Sequence, residues 1–173
     1  HYESDECGSL NKWLELAPQA LPVCTFLAAM LNVNDHAVRE ARAMPEEETL
    51  PTGKYRFRFY STAHLPHGWD AGVLFEETQR TLFCSDLLFH FGEREPLTAS
   101  DIIGRTREAL LNMQNSPLGY SIPYTPQTDR IIARLAALQP CTLATMHGSS
   151  YNGDCAQALR DYGSVIREVL GGP

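Results

Sequence analysis

The chain has 173 residues, 43% of them hydrophobic and 20% charged, a size and balance that fit one globular domain over residues 1–173 and exclude disorder throughout or a fibrous repeat. A formal charge of -7 with no basic stripe excludes the counterion-replacing surface that nucleic-acid binding needs.

The first eight residues, His1-Tyr2-Glu3-Ser4-Asp5-Glu6-Cys7-Gly8, crowd metal-capable side chains together. In an extended segment residues at i, i+2 and i+4 share a face, so His1, Glu3 and Asp5 are expected to converge on one cavity, with Glu6 opening a turn towards a helix. A mixed imidazole and carboxylate set suits iron, zinc or manganese better than calcium. Ser9 to Ala17 follows as a short amphipathic helix, with Leu10, Trp13, Leu14 and Ala17 at helical spacing and Pro18 as its stop. Leu21 to Thr25 reads as a short strand and Phe26 to Val33 as a small apolar helix. Asn34 to Pro51, with Pro45 and the run Glu46-Glu47-Glu48, reads as a solvated loop.

Lys54 to Tyr60 alternates with period two, which predicts a half-buried strand with Tyr55, Phe57 and Phe59 on the core face. A polar loop from Ser61 to Asp70 carries His64, His67 and Asp70. Ala71 to Phe75 and Thr81 to Ser85 then form a hairpin ending at Asp86, an acid placed where a strand gives way to a loop. A long helix begins near Thr98, capped by Thr98 or Ser100, with Ile102, Ile103, Thr106, Leu110 and Met113 along one face. A loop from Ser116 to Pro126 leads to a second helix over Thr128 to Leu138. Cys141 to Met146 is a short strand ending at His147-Gly148-Ser149-Ser150, and Asp154 to Leu170 is a closing amphipathic helix followed by Gly171-Gly172-Pro173.

His67, Asp86 and His147 thus stand at three strand ends, and loops at one sheet edge can meet. His36, His64 and His90 read instead as hydrogen-bonded structural residues, and Asp70 as a loop acid or as a group orienting an imidazole. Cys7, Cys24, Cys84, Cys141 and Cys155 form no C-x-x-C pair; an odd, scattered set reads as reduced thiols in a cytoplasmic protein. No apolar run approaches bilayer length, so no membrane partner is expected.

The set H-x-E-x-D at residues 1–5, Pro66-His67, the strand end Leu82-Phe83-Cys84-Ser85-Asp86 and Met146-His147-Gly148 together resemble the metallo-β-lactamase superfamily. Within it, Glu3 at the middle position resembles the oxygen-binding diiron domain of flavodiiron proteins, where typical hydrolases carry histidine. The resemblance implies an α+β fold, the αββα sandwich of that superfamily, entered at its first metal motif, so that the N-terminal strands lie upstream of this sequence and the chain is the C-terminal portion of the domain. It implies two divalent metal ions, the first held by His1, Glu3, His67 and a bridging Asp86, the second by Asp5, Asp86 and His147. Asp5 and Asp86 would then act catalytically. The family motif continues with histidine where this chain has Glu6. Either the Glu6 carboxylate is a ligand or the second position is weak or empty.

Three functions follow. The leading expectation is a metal-dependent hydrolase, in which paired ions about 3.5–4 Å apart activate water against a small-molecule substrate. The alternative is a non-haem diiron oxygen or nitric oxide reductase domain, drawing on a separate electron donor because no flavin mononucleotide module follows the last helix. The third is an oxygen or metal sensor. Iron or zinc is the expected metal, with manganese compatible, and a homodimer is an expected assembly.

Overall fold

The computed structural model describes residues 1–172; Pro173, the last residue of the closing Gly-Gly-Pro, lies outside them. In chain order the elements are α1 (Ser4–Cys7), α2 (Leu10–Leu16), β1 (Val23–Cys24), α3 (Phe26–Ala28) running through a π-helical segment (Ala29–Val33) into α4 (Asn34–His36), β2 (Arg42–Ala43), β3 (Thr49–Thr52), β4 (Tyr55–Ser61), β5 (Gly72–Glu76), β6 (Thr81–Phe83), β7 (Leu97–Thr98), α5 (Ile102–Gln114), α6 (Thr128–Ala137), β8 (Thr142–Ala144), β9 (Ser150–Tyr151) and α7 (Cys155–Leu170). Strands β3 to β9 make one mixed sheet in the order β3-β4-β5-β6-β8-β9-β7, while β1 and β2 pair by themselves in parallel.

Helices α5, α6 and α7 cover one face of the sheet. Tyr60, Val73, Phe75, Leu82 and Leu143 point from the strands into the same apolar cluster as Leu110, Leu135 and Leu159 from the helices. The period-two expectation for β4 holds, but the face differs from the one expected. Tyr60 joins this cluster, whereas Phe57 and Phe59 pair with Glu76 and Leu74 on the other side of the sheet, where Phe57 meets Phe83 at 5.9 Å. Both faces of β4 carry aromatic residues, so alternation alone does not say which faces the helices.

Helix boundaries follow local capping chemistry. The side chain of Asp154 accepts a hydrogen bond from the Gln157 N–H at 2.9 Å and starts α7. Losing such a cap costs about 0.5–2 kcal/mol, so Asp154→Ala is expected to lower the urea midpoint modestly without changing its slope. Helix α5 is capped by Asp101, whose side chain accepts from the Gly104 N–H at 2.6 Å, in place of Thr98 or Ser100. Thr98 instead pairs with Tyr151 between β7 and β9, a contact that sequence spacing does not announce. The segment read as a loop from Asn34 to Pro51 also contains β2 and the start of β3. The N-terminal helix is largely solvent-facing, with only Leu14 buried and Trp13 67% exposed. All five cysteines are free thiols, and among the described residues no helix is long and apolar enough to cross a membrane.

Candidate metal centre

The sheet brings the candidate residues to one edge through its register. Strands β6 and β8 are parallel neighbours with Phe83 opposite Ala144, and Asp86 and His147 each follow their strand end by the same three positions. The ladder continues past the strands, with the Cys84 N–H donating to Ala144 O at 2.8 Å and the Met146 N–H donating to Ser85 O at 3.1 Å. Strand β5 runs antiparallel to both β4 and β6, so the loop from β4 to β5, which carries His67, turns at this same edge. Gly68 and Gly148, immediately after the two histidines, have φ of +81° and +111°, values that side chains rarely adopt. A Cβ on Gly148 would lie 2.5 Å from the His90 ring. That ring is buried, its Nε2 accepts the Ser149 N–H at 2.8 Å, and the His90 N–H donates to His147 O at 3.0 Å. His90 is therefore a structural residue that shapes the His147 turn.

The N-terminal segment docks on this edge. Asp70, buried, accepts the Tyr2 N–H at 2.9 Å, so it holds the main chain and does not orient an imidazole. Residues 1–3 are irregular and Glu3 is extended, but Ser4–Cys7 forms a helical turn closed by the Cys7 N–H donating to Glu3 O at 2.7 Å. The extended reading of residues 1–5 thus fails from Ser4 onward. The turn separates Asp5 from His1 and Glu3 and sends it towards His147 instead.

Two clusters result, joined by Asp86. One donor atom each from His1, Glu3, His67 and Asp86 lies within 4.8 Å of the other three. His1 Nε2 is 3.3 Å from Glu3 Oε2 and 3.5 Å from Asp86 Oδ2, and His67 Nε2 is 3.1 Å from that same oxygen. The other Asp86 oxygen, Oδ1, lies 3.2 Å from His147 Nε2, which is 3.3 Å from Asp5 Oδ2. Asp86 thus presents one oxygen to each cluster.

The donor set fits divalent cations. Donors about 2.0–2.2 Å from a shared ion lie about 3–3.5 Å apart at tetrahedral or octahedral angles, which the His1–Glu3, His1–Asp86, His67–Asp86, His147–Asp86 and His147–Asp5 contacts match. His1 Nε2 and Asp86 Oδ1 are buried and have no hydrogen-bond partner, which is costly for polar atoms and is explained where an ion takes their lone pairs. Glu3, Asp5, Glu6 and Asp86 also crowd like charges that a cation would offset. The Asp86 carboxylate beside it raises the His67 imidazole above its ordinary value against the opposing effect of burial, with Glu3 adding to the rise.

Glu6 stands apart from these contacts. Its Oε2 accepts from the main-chain nitrogen of His1 at 2.9 Å, and its Oε1 accepts the Ser85 hydroxyl. Ser85 escaped the sequence reading because its partner lies 79 positions away and a serine at a strand end carries no signal of its own. His36 stacks on Tyr2 at 5.7 Å, outside the centre.

This sheet, its helices on one face and a histidine and carboxylate cluster at the edge where β6 and β8 end, define the metallo-β-lactamase-like fold. Several solved structures share it, three of which are compared with this chain. Rubredoxin oxygen:oxidoreductase from Desulfovibrio gigas matches with a TM-score of 0.78 at 24% identity, over 95% of this chain and 42% of that one. A flavoprotein from Thermotoga maritima matches at 0.77 and 21% identity, over 96% and 41%. The diiron chemotaxis sensor ODP, known from T. denticola, matches at 0.71 and 14% identity, over 95% and 66%. The chain therefore spans about two fifths of the first two proteins. No protein-family profile matches the sequence, and no curated protein matches it.

Proposed function

We propose that this chain carries a non-haem diiron centre that engages dioxygen, as the oxygen-handling part of a reductase or of a sensor. The observation that carries the reading is Glu3, whose carboxylate lies 3.3 Å from His1 Nε2 and 3.7 Å from His67 Nδ1. With Glu3, three carboxylates face three imidazoles, a harder and more anionic donor set than an all-histidine site, and one suited to iron. The names of the structural neighbours, an oxygen oxidoreductase and a diiron sensor, support the same assignment. The hydrolase expectation yields to it, because neither the carboxylate-rich set nor these neighbours favours zinc.

His1, Glu3, His67 and Asp86 would hold one iron, and Asp5, Asp86 and His147 the other. Ferrous ions bound there would supply both electrons and a binding position for dioxygen. The residues of the chain fix that position. Asp86 presses a carboxylate oxygen on each side, and its side chain is 10% exposed, so water competes weakly for it. Asp70 holds Tyr2, and His90 holds the His147 turn, so ligands from distant parts of the sequence keep their spacing.

The test is anaerobic loading of the metal-free chain with ferrous iron, followed by Mössbauer and optical spectra before and after dioxygen. The expected result is two irons per chain and a spectrum that changes on exposure to dioxygen with no other substrate present. Bound iron indifferent to dioxygen, together with ester or amide hydrolysis by the zinc-loaded chain, would return the assignment to a hydrolase.

A further inference from the structure

We propose that Glu6 is a positioning residue that braces the ligand-bearing segments against one another, and that the second metal position is held by only three protein side chains, Asp5, Asp86 and His147. The proposal rests on the metal reading above. Glu3, Asp5 and Asp86 each lie within 3.7 Å of at least one of the three imidazoles of the centre. Glu6 pairs with none of these imidazoles. Its side chain is 12% exposed, and its Oε1 accepts the Ser85 hydroxyl.

That donor is not incidental, because Ser85 directly precedes Asp86. Ser85 has a φ of +49°, a left-handed conformation that a serine keeps only where its surroundings over-determine it. Glu6 supplies one of those constraints. The Met146 N–H supplies another by donating to Ser85 O at 3.1 Å, which ties in the strand end next to His147. Hydrogen bonds therefore tie the N-terminal turn that carries Asp5 and Glu6 to the strand ends next to Asp86 and His147.

Bracing and ligation predict different outcomes for the same substitutions. In Glu6→Gln the amide can still pair with the Ser85 hydroxyl, so a brace survives and an anionic ligand does not. Ferrous titration of the metal-free full chain, with iron counted per chain, is the measurement. Glu6→Gln is expected to take up two irons like the parent, whereas Glu6→Ala and Ser85→Ala should both weaken the two positions together, by about 10–100-fold as for other residues that orient ligands. Loss of one iron alone in Glu6→Gln, or parent-like binding in Ser85→Ala, would overturn the proposal. Hydrogen exchange of the metal-free proteins supplies a reading independent of iron. The amides of residues 85–88 should exchange faster in Glu6→Ala and Ser85→Ala than in the parent and Glu6→Gln. A parent that binds no iron would sink the diiron reading alone; unchanged exchange in Glu6→Ala would sink the brace.

Discussion

Asp86→Asn is expected to empty both metal positions at once. The two carboxylate oxygens of Asp86 are divided between the clusters, Oδ2 at 3.1 Å from His67 Nε2 and Oδ1 at 3.2 Å from His147 Nε2. An amide of the same shape keeps one oxygen, puts a nitrogen without a free lone pair on the other side, and carries no charge to offset either cation. The loss in affinity should exceed the about 10–100-fold typical of removing an outer-shell partner, and iron counted per chain after gel filtration should fall towards zero. His147→Ala provides the contrast, because it should empty mainly the position shared with Asp5. Equal iron in Asp86→Asn and the parent would remove the bridge.

The largest expected loss of stability comes from the core between sheet and helices. Leu159 on α7 is fully buried and belongs to the same cluster as Leu82 and Leu143 from the strands. Leu159→Ala removes three carbons from a close-packed site and leaves a cavity, at a cost of about 2–5 kcal/mol, a large share of the roughly 5–15 kcal/mol that holds a domain together. Urea unfolding followed by circular dichroism checks this, as a lowered midpoint with an unchanged slope. Phe83→Ala, at a residue 44% exposed on the opposite face, should shift the midpoint far less. Similar shifts for the two would mean that the core does not lie where the burial pattern puts it.

The parts of the fold that were legible in the sequence are those with a period. Helices α6 and α7 and the β5–β6 hairpin announce themselves because several successive residues obey one spacing. Strands β2, β7 and β9 are two residues long, too short for any alternation, and form only because a distant partner offers a ladder. The cap of α5, expected at Thr98 or Ser100, falls on Asp101, because side chains of all three types can accept a backbone N–H and pairing in the sheet removes Thr98 from the choice.

At the candidate centre, residue type and position at strand ends pointed to His67, Asp86 and His147, and the equal offset of the last two from paired strands explains why they meet. The local geometry of the N-terminus was not legible. A carboxylate beside another carboxylate in a helical turn looks the same in sequence whether it faces a metal or a serine hydroxyl, and the difference between Asp5 and Glu6 is made by His147 and Ser85, far along the chain.

On the diiron proposal, two iron ions sit on either side of Asp86. Crystals of the anaerobically iron-loaded chain, measured on both sides of the iron absorption edge, test it directly. Two anomalous peaks that vanish below the edge are expected, one among His1, Glu3, His67 and Asp86 and the other among Asp5, Asp86 and His147. Peaks away from these residues, or peaks that rise only above the zinc edge, would overturn the assignment.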